Sequence, residues 1–323
     1  MPESVLITGG AGYLGSVLTD RFLSRGHKVT VVDSLVWNQN SPLFFLAREG
    51  YSFIHGDARD KNLLKKLVDS HDVLIPLAAL VGAPLCENSP REAEEINTGA
   101  IALIDGLRSP GQKLVFPNTN SGYGTKSGDS FCTEETPLEP ISCYGRTKVE
   151  AERILLGSRK PTLTLRLATV FGPSPRMRTD LLVNDLVYRA LSEKKLVIFE
   201  GHFKRNFIHI RDVADAFLYA ISNFDNMRLG GKNQAYNAGL DEANISKAEL
   251  AYKIREHIPG LFVEQDEFAQ DPDKRNYMVS NEKLSKVGFS ARFTLDQGIR
   301  ELIDYYNVLL HLNIKEPVRL KNV

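Results

Sequence analysis

Short β-branched runs alternate with segments of helical spacing along the first half of the chain. VLIT (5–8) precedes TDRFLSRG, VTVVD (29–33) and FIHGD (53–57) precede LLKKLVDS, and DVLIPLA (72–78) precedes a long segment to Leu107 and then KLVFPN (113–118). That alternation predicts an α/β fold, a doubly wound parallel sheet with right-handed crossover helices. After LTLRLATVFG the rhythm loosens into a Pro/Arg-rich loop, scattered helices and a short strand pair, so a smaller mixed α/β region follows a boundary near Phe171 that is not clean. The division read from this is 1–170, with a return segment near 205–238, and 171–323. There is no internal repeat and no low-complexity stretch.

Composition narrows the class without naming a chemistry. The 323 residues are 42% hydrophobic and 25% charged, and 40 basic residues balance 40 acidic ones, so no net field points to nucleic acid or to an acidic membrane. No apolar run approaches the roughly 20 residues of a membrane span, and MPESVLITGG lacks the pattern of a signal peptide, so cytoplasmic residence is expected. Cys86, Cys132 and Cys143 show no CxxC or Cys/His spacing, which argues for reduced thiols and against a disulfide framework or a metal site.

The strongest local signal is TGGAGYLGS, in which Gly9, Gly12 and Gly15 directly follow the strand VLIT and open a helix. Glycine is needed there because a dinucleotide pyrophosphate must approach the backbone and rest on a helix N-terminus, where free amides favour negative charge. This places a Rossmann-type dinucleotide site on Gly9, Gly12, Tyr13, Leu14 and Gly15. Asp33 ends the next strand, 18 residues beyond Gly15, the position of a ribose-binding acid. Its carboxylate would accept a ribose 2′-hydroxyl and repel a 2′-phosphate, and neither Ser34 nor Leu35 offers a cation, so NAD is expected rather than NADP. Asp57 in HGDARD either reaches the adenine or caps the helix that follows.

CYGRTK puts Tyr144 and Lys148 four residues apart, on one face of a helix. An ammonium near a phenol favours the phenolate, and a positively charged nicotinamide would add to that, so Tyr144 can act as a base.

TGGAGYLG, Asp33, PLAALVG, the small polar residues of PNTNSGYG, YGRTK and RNFIHIRDV together resemble the extended short-chain dehydrogenase/reductase family, over essentially the whole chain. The resemblance implies hydride transfer from a nucleotide-sugar carbon, commonly C4, to NAD. In that family Thr119, 25 residues before Tyr144, would hydrogen-bond the reacting hydroxyl, and Lys148 would also hold the nicotinamide ribose. It further implies Ala58, Leu77, Ala78, Ala79 and Thr169 along the cofactor, Thr169 standing where many relatives carry Asn. Val81, Thr119, Asn120, Ser121, Asn184 and the arginines Arg176, Arg178, Arg205 and Arg275 would face the sugar and its diphosphate, for which a guanidinium fork is suited.

What PNTNSGYG lacks is equally informative. The 4,6-dehydratases of the family carry Asp and Glu where this chain has Asn120 and Ser121, and neither can act as acid or base at neutral pH. The decarboxylating relatives also carry Glu at Ser121, and the 3,5-epimerases use a Cys and a His where Ser121 and Ser174 stand. The remaining set, Thr119, Tyr144 and Lys148, suffices for a 4-dehydrogenase or a 4-epimerase. Several segments, LIPLAALVGAPLCENSP and DPDKRNYMVSN among them, look closest to family members that oxidise GDP-linked heptoses at C4 for capsule biosynthesis, so a GDP-linked sugar is the expected partner. A non-catalytic dinucleotide sensor is the reading from another class, disfavoured because Thr119, Tyr144 and Lys148 are all present. The family also implies a homodimer through a four-helix interface around 93–107 and 144–156. Ile96, Ile101, Leu103 and Ile104 suit that interface or, equally, the sheet-facing side of one subunit. His209 reads as a packed strand residue and Asp212 and Asp215 as helix caps, while LDQGIRELIDYYNVLLHL has the spacing of a core-packing helix.

Overall fold

The computed structural model describes residues 2–126, 130–266 and 274–312. Seven parallel strands form the main sheet: β1 (Ser4–Thr8), β2 (Lys28–Asp33), β3 (Tyr51–His55), β4 (Val73–Pro76), β5 (Lys113–Thr119), β6 (Thr162–Leu167) and β7 (Gln234–Ala238). Their order is β3-β2-β1-β4-β5-β6-β7. The direction of winding therefore reverses between β1 and β4, and a crevice opens beyond their carboxyl ends.

Helices cover both faces: α1 (Tyr13–Leu23), α2 (Lys61–Val68), α3 (Ala100–Leu107), α4 (Cys143–Gly157), α5 (Leu182–Glu193), α6 (Ile210–Ser222), α7 (Lys247–His257) and α8 (Leu295–His311). Successive strand side chains point to opposite faces, so each strand feeds two cores. Leu6, Leu74, Leu114 and Phe116 pack with Leu64 of α2, Ile101 and Ile104 of α3 and Leu155 of α4. Val5, Ile7 and Val115 pack on the other side with Leu18 and Phe22 of α1 and Val213 and Phe217 of α6. Two-sided burial explains why these strands read as unbroken apolar runs. It also answers one question left open above, because Ile101 and Ile104 are 2% exposed and serve the sheet of their own subunit.

A smaller layer carries Thr169–Phe171, Lys204–His209 and Asn244–Ser246 as a three-stranded sheet, with Lys195–Phe199 and Phe262–Asp266 as a parallel pair. Its core joins Phe171, Val183, Leu196, Phe207, Leu250, Ile299 and Tyr306, so α5, α7 and α8 close it. Tyr13 belongs to the same core although it lies in the glycine loop, which ties the two layers together at the crevice.

Two capping expectations change. Helix α6 begins at Ile210, and its cap is His209, whose Nδ1 accepts the Arg211 N–H at 3.3 Å. Burial drives that imidazole down to about 3, so it stays neutral and can accept. Asp212 instead accepts the N–H groups of Arg292 and Phe293, at 3.0 and 2.8 Å, pinning the approach to α8, and Asp215 holds Arg21 of α1. Helix α2 is capped by Asp60, which takes Asn62 N–H and Leu63 N–H, so the capping alternative for Asp57 falls away.

Beneath β5 and β6 lies a charged pair, Arg166 and Glu152, 5% and 2% exposed. Arg166 grips Glu152 through Nε and Nη2, and Asn118 donates to the other carboxylate oxygen at 2.7 Å. Tyr123 and the Glu134 carbonyl accept from Arg166 Nη1. Truncating one member strands the other charge, so Arg166→Ala should lower unfolding stability by about 3–5 kcal/mol in urea denaturation. Removing the exposed Arg153–Glu150 pair should leave the transition where it is. An Arg166→Ala transition at the wild-type midpoint would show that the pair is not structural.

Candidate active site

The glycine loop is shaped by contacts that exclude side chains. Gly9 has φ +74°, and a Cβ there would meet the backbone of Ala78 at 2.5 Å, while one at Gly15 would meet Gly10 at 2.5 Å. The loop thus lies on Leu77 and Ala78 at the end of β4, and Leu77 N–H donates to the Thr8 carbonyl. At Gly12 an added Cβ would meet only the Gly9 carbonyl, at 3.1 Å, and otherwise enter open space. Gly12 is the N-cap of α1 and supplies no capping side chain, and the first turn carries no acid, so the amide end of the helix is left for an anion.

Asp33 stands at the far side of the crevice, 7% exposed. One oxygen accepts Ala11 N–H at 3.0 Å and the other accepts Leu35 N–H at 2.9 Å and the Gln39 amide at 3.3 Å. Burial raises its carboxyl, opposed by these hydrogen bonds and by the charge of Arg176. Asp57 is more exposed and is held by Arg59, beside buried Ala58. The loop 77–81 beyond β4 is fixed by a residue that sequence reasoning passed over. Asn97, 1% exposed, bonds both backbone groups of Leu80 and donates to Thr147 of α4.

Ser142 caps α4 by accepting Gly145 N–H, which sets Tyr144 in its first turn and Lys148 one turn on. The Lys148 ammonium lies 4.0 Å from the centroid of the Phe116 ring, inside the sheet. Burial pulls it down to about 7, against the field of Glu152 one turn further. Burial likewise pushes the Tyr144 phenol up to about 12, while Arg178 and Arg275 pull it down and Cys86 and Tyr277 push it up. Positive charge brought into this pocket therefore moves Tyr144 toward phenolate.

The turn after β5 comes against the same helix end, since a Cβ on Gly145 would touch the Ser121 carbonyl at 3.5 Å. Thr119 Oγ1 accepts Ser121 N–H at 3.1 Å and donates to Ser121 Oγ at 3.0 Å, and Arg275 donates to that same Ser121 hydroxyl. Asn120 is 1% exposed, with neither side-chain polar atom partnered among the described residues.

The remaining candidates lie around this centre. Arg178 is clasped by Asp180 through both nitrogens, and Asn184 donates to the Arg178 carbonyl and to Tyr13 Oη while accepting Gly172 N–H. Asn184 therefore works as a strut between α5 and the glycine loop. Arg205, 2% exposed, lies over the Tyr277 ring at 5.7 Å, two residues from Arg275. Thr169 pairs with Phe207 where the small sheet meets the crevice, and Val81 is half-buried at the end of its loop. Cys86, Cys132 and Cys143 are free and buried, and burial pushes Cys86 up to about 11. Ser174, which stands where the 3,5-epimerases carry a His, meets Ser16 of α1 at 3.0 Å.

Known proteins agree with this arrangement. The low-salt glycan biosynthesis protein Agl12 of Haloferax volcanii is 27% identical over 94% of this chain and 98% of its own length. The UDP-glucose 4-epimerase of Streptococcus mutans is 29% identical over 90% of this chain and 92% of its own. A structure of the Bacillus cereus UDP-glucuronic acid 4-epimerase, in complex with UDP-4-deoxy-4-fluoro-glucuronic acid and NAD, matches with a TM-score of 0.83 at 24% identity, covering 95% of this chain and 99% of that one. The glycine loop, the open space at Gly12 and the carboxylate of Asp33 fit NAD, on which this family depends. Residues 5–239 match the NAD dependent epimerase/dehydratase family, and the chain belongs to it.

Proposed function

We propose that this enzyme oxidises the C4 hydroxyl of a nucleotide-activated sugar to a 4-keto sugar in surface polysaccharide biosynthesis, with GDP-D-glycero-D-manno-heptose as the leading substrate. The observation that carries the reading is a Tyr144–Lys148 pair on the first turns of α4 beside a turn, Thr119–Ser121, that holds hydroxyls and an amide but no carboxylate. Bound NAD supplies the acceptor for the hydride that leaves C4. Thr119 orients the sugar hydroxyl, the Tyr144 phenolate takes its proton as the C4–O bond becomes a carbonyl, and Lys148 favours the phenolate. Arg205 and Arg275 hold the diphosphate, and Arg178 adds positive charge beside the phenol. The kinship with a glycan biosynthesis protein supports the polysaccharide setting, and the likeness of LIPLAALVGAPLCENSP and DPDKRNYMVSN to GDP-heptose 4-dehydrogenases supports the sugar.

A second reading has its own support. The Streptococcus mutans relative is a UDP-glucose 4-epimerase, and the same three residues would serve an enzyme that returns the hydride to the other face of the ketone. In either case the reading includes a homodimer through the helical stretches 93–107 and 144–156. With Ile101 and Ile104 turned to the sheet and Leu103 packed against the same core, half-buried Ile96 is the one of these four left as an apolar position for a partner.

Incubation with NAD and a panel of GDP-, UDP- and dTDP-linked hexoses and heptoses separates the two readings. A product two hydrogens lighter with one equivalent of NADH is expected, whereas unchanged mass with new stereochemistry and no net NADH would make the enzyme a 4-epimerase. Tyr144→Phe should lower turnover by a factor of about 10² or more while NAD still binds, and unchanged turnover would remove Tyr144 from the mechanism. The pH dependence has a definite sign. The phenol is raised and the phenolate is the active form, so the rate at low sugar concentration should climb as pH rises through the neutral range. Residual Tyr144→Phe activity with the same pH profile as wild type would contradict a tyrosine base.

A further inference from the structure

The loop Gly172–Asp180 leaves the small sheet and crosses directly onto the first turn of α1. Tyr13 Oη donates to the Gly172 carbonyl at 2.7 Å, Ser174 Oγ donates to the Tyr13 carbonyl at 2.7 Å, and Ser174 and Ser16 share a hydrogen bond of 3.0 Å. Asn184 reinforces the seam through Tyr13 Oη, Gly172 N–H and the Arg178 carbonyl. Three groups of the second layer and its connecting loop, the Gly172 carbonyl, the Ser174 hydroxyl and the Asn184 amide, are thus fastened to the helix end that would receive the cofactor's diphosphate.

Two residues past Ser174 comes Arg176, 4% exposed, whose N–H donates to Ser174 Oγ at 3.3 Å and whose Nη1 donates to the Met177 carbonyl at 3.1 Å. Its surroundings are not those of a surface arginine. Burial pulls it down to about 10, Arg178 pulls the same way, and Asp180 and Asp33 oppose them. Asp180 is already clasped by Arg178 through both nitrogens. Asp33, on the cofactor side, and Arg176 each favour the ionised form of the other. Asp33 marks the adenosine ribose and the first turn of α1 marks the diphosphate, so Arg176 and Arg178, neighbours in sequence, divide between two ligands. Arg178 acts on the phenol of Tyr144, on the sugar side.

We propose that Arg176 is a cofactor clamp, a residue of the connecting loop that closes over the diphosphate and adenosine ribose of NAD and makes the dinucleotide slow to leave. This moves Arg176 from the sugar-binding set expected from the sequence to the cofactor side. The chemistry is that of a planar guanidinium bidentate to phosphate oxygens in a site where water is scarce. Ser174 and Tyr13 hold the loop against α1, so the guanidinium is carried by a segment fixed to the helix end that would receive the diphosphate. The consequence for turnover is specific. A clamped NADH stays for the next step, which favours return of the hydride to a ketone in the same site, or a second oxidising substrate, over exchange with solution.

The test reads cofactor retention and does not depend on which sugar is oxidised. NAD released per chain on denaturation is measured for wild type, Arg176→Gln, Arg176→Lys and Arg178→Gln, each checked for wild-type circular dichroism. Dissociation of reloaded NAD is then followed through Trp37, the single tryptophan, which lies four residues beyond Asp33. Arg176→Gln should carry less NAD and release it roughly tenfold faster or more, Arg176→Lys should fall between, and Arg178→Gln should stay within about twofold of wild type. A folded Arg176→Gln that holds NAD as wild type does would overturn the clamp. So would an Arg178→Gln that releases NAD as fast as Arg176→Gln, because the effect would then be one of overall positive charge. Should Arg176→Gln not fold, Arg176→Lys decides, faster release supporting the clamp and wild-type release ending it.

Discussion

The structure depends on one contact of backbone with backbone. Gly9 at the end of β1 lies so close to Ala78 at the end of β4 that no side chain fits between them, at the point where the strand order reverses. From that contact follow the direction of α1, the open space before Gly12, and the seating of loop 77–81 that Asn97 then ties to α4. Cofactor cradle and catalytic helix are therefore registered to one another through Leu80, Asn97 and Thr147, with no long-range device between them. Backbone contact of this kind tolerates almost no variation in residue type, which is why glycine recurs here and nowhere else at such density.

Charge is handled differently at two positions on the buried face of α4. Glu152 faces inward, where Arg166 and Asn118 satisfy it completely, and Lys148, one turn earlier, lies over an aromatic ring in a setting that costs an ammonium dearly. Two buried groups of opposite habit, a phenol driven up and an amine driven down, stand one turn apart. Each shift disfavours the charged form of its group. A positive charge such as a bound nicotinamide, together with Arg178 and Arg275, favours the Tyr144 phenolate, whereas the field of Glu152 is what favours the Lys148 ammonium.

Much of this was legible in the chain. The first six strands, the glycine loop, Asp33 and the Tyr144–Lys148 spacing were readable because each is local: a run of β-branched residues, a turn that needs glycine, two residues on one helical face. The failures share a cause as well. Asp212 looked like a cap because it is the usual kind of residue for one, yet an imidazole kept neutral by burial takes the role three residues earlier, and Asp212 is spent on a segment 80 residues away. Asn97, Glu152 and Arg166 carry no local signature, since polar residues on a helix or strand look solvated until tertiary packing encloses them. Arg176 was visible as an arginine in a Pro-rich loop. Which ligand it faces depends on Ser174 meeting Tyr13 across 161 residues, which no pattern in the loop itself encodes.

The turn after β5 limits what can follow oxidation. A 4-keto sugar is acidified at its neighbouring carbons, and relatives exploit that with carboxylates or a cysteine to eliminate water, lose carbon dioxide or invert a centre. Here Thr119, Asn120 and Ser121 offer no group able to exchange a proton with carbon at neutral pH, and Ser121 is further held by Arg275. The ketone then has two exits: it leaves, or it is reduced again. On the proposed reading the choice between them passes from the chemistry of the turn to the lifetime of the cofactor, which the proposed Arg176 clamp would set at the other end of the crevice, where the second layer reaches over the first turn of α1. In this fold the identity of the product is decided as much by what holds the dinucleotide as by what touches the sugar.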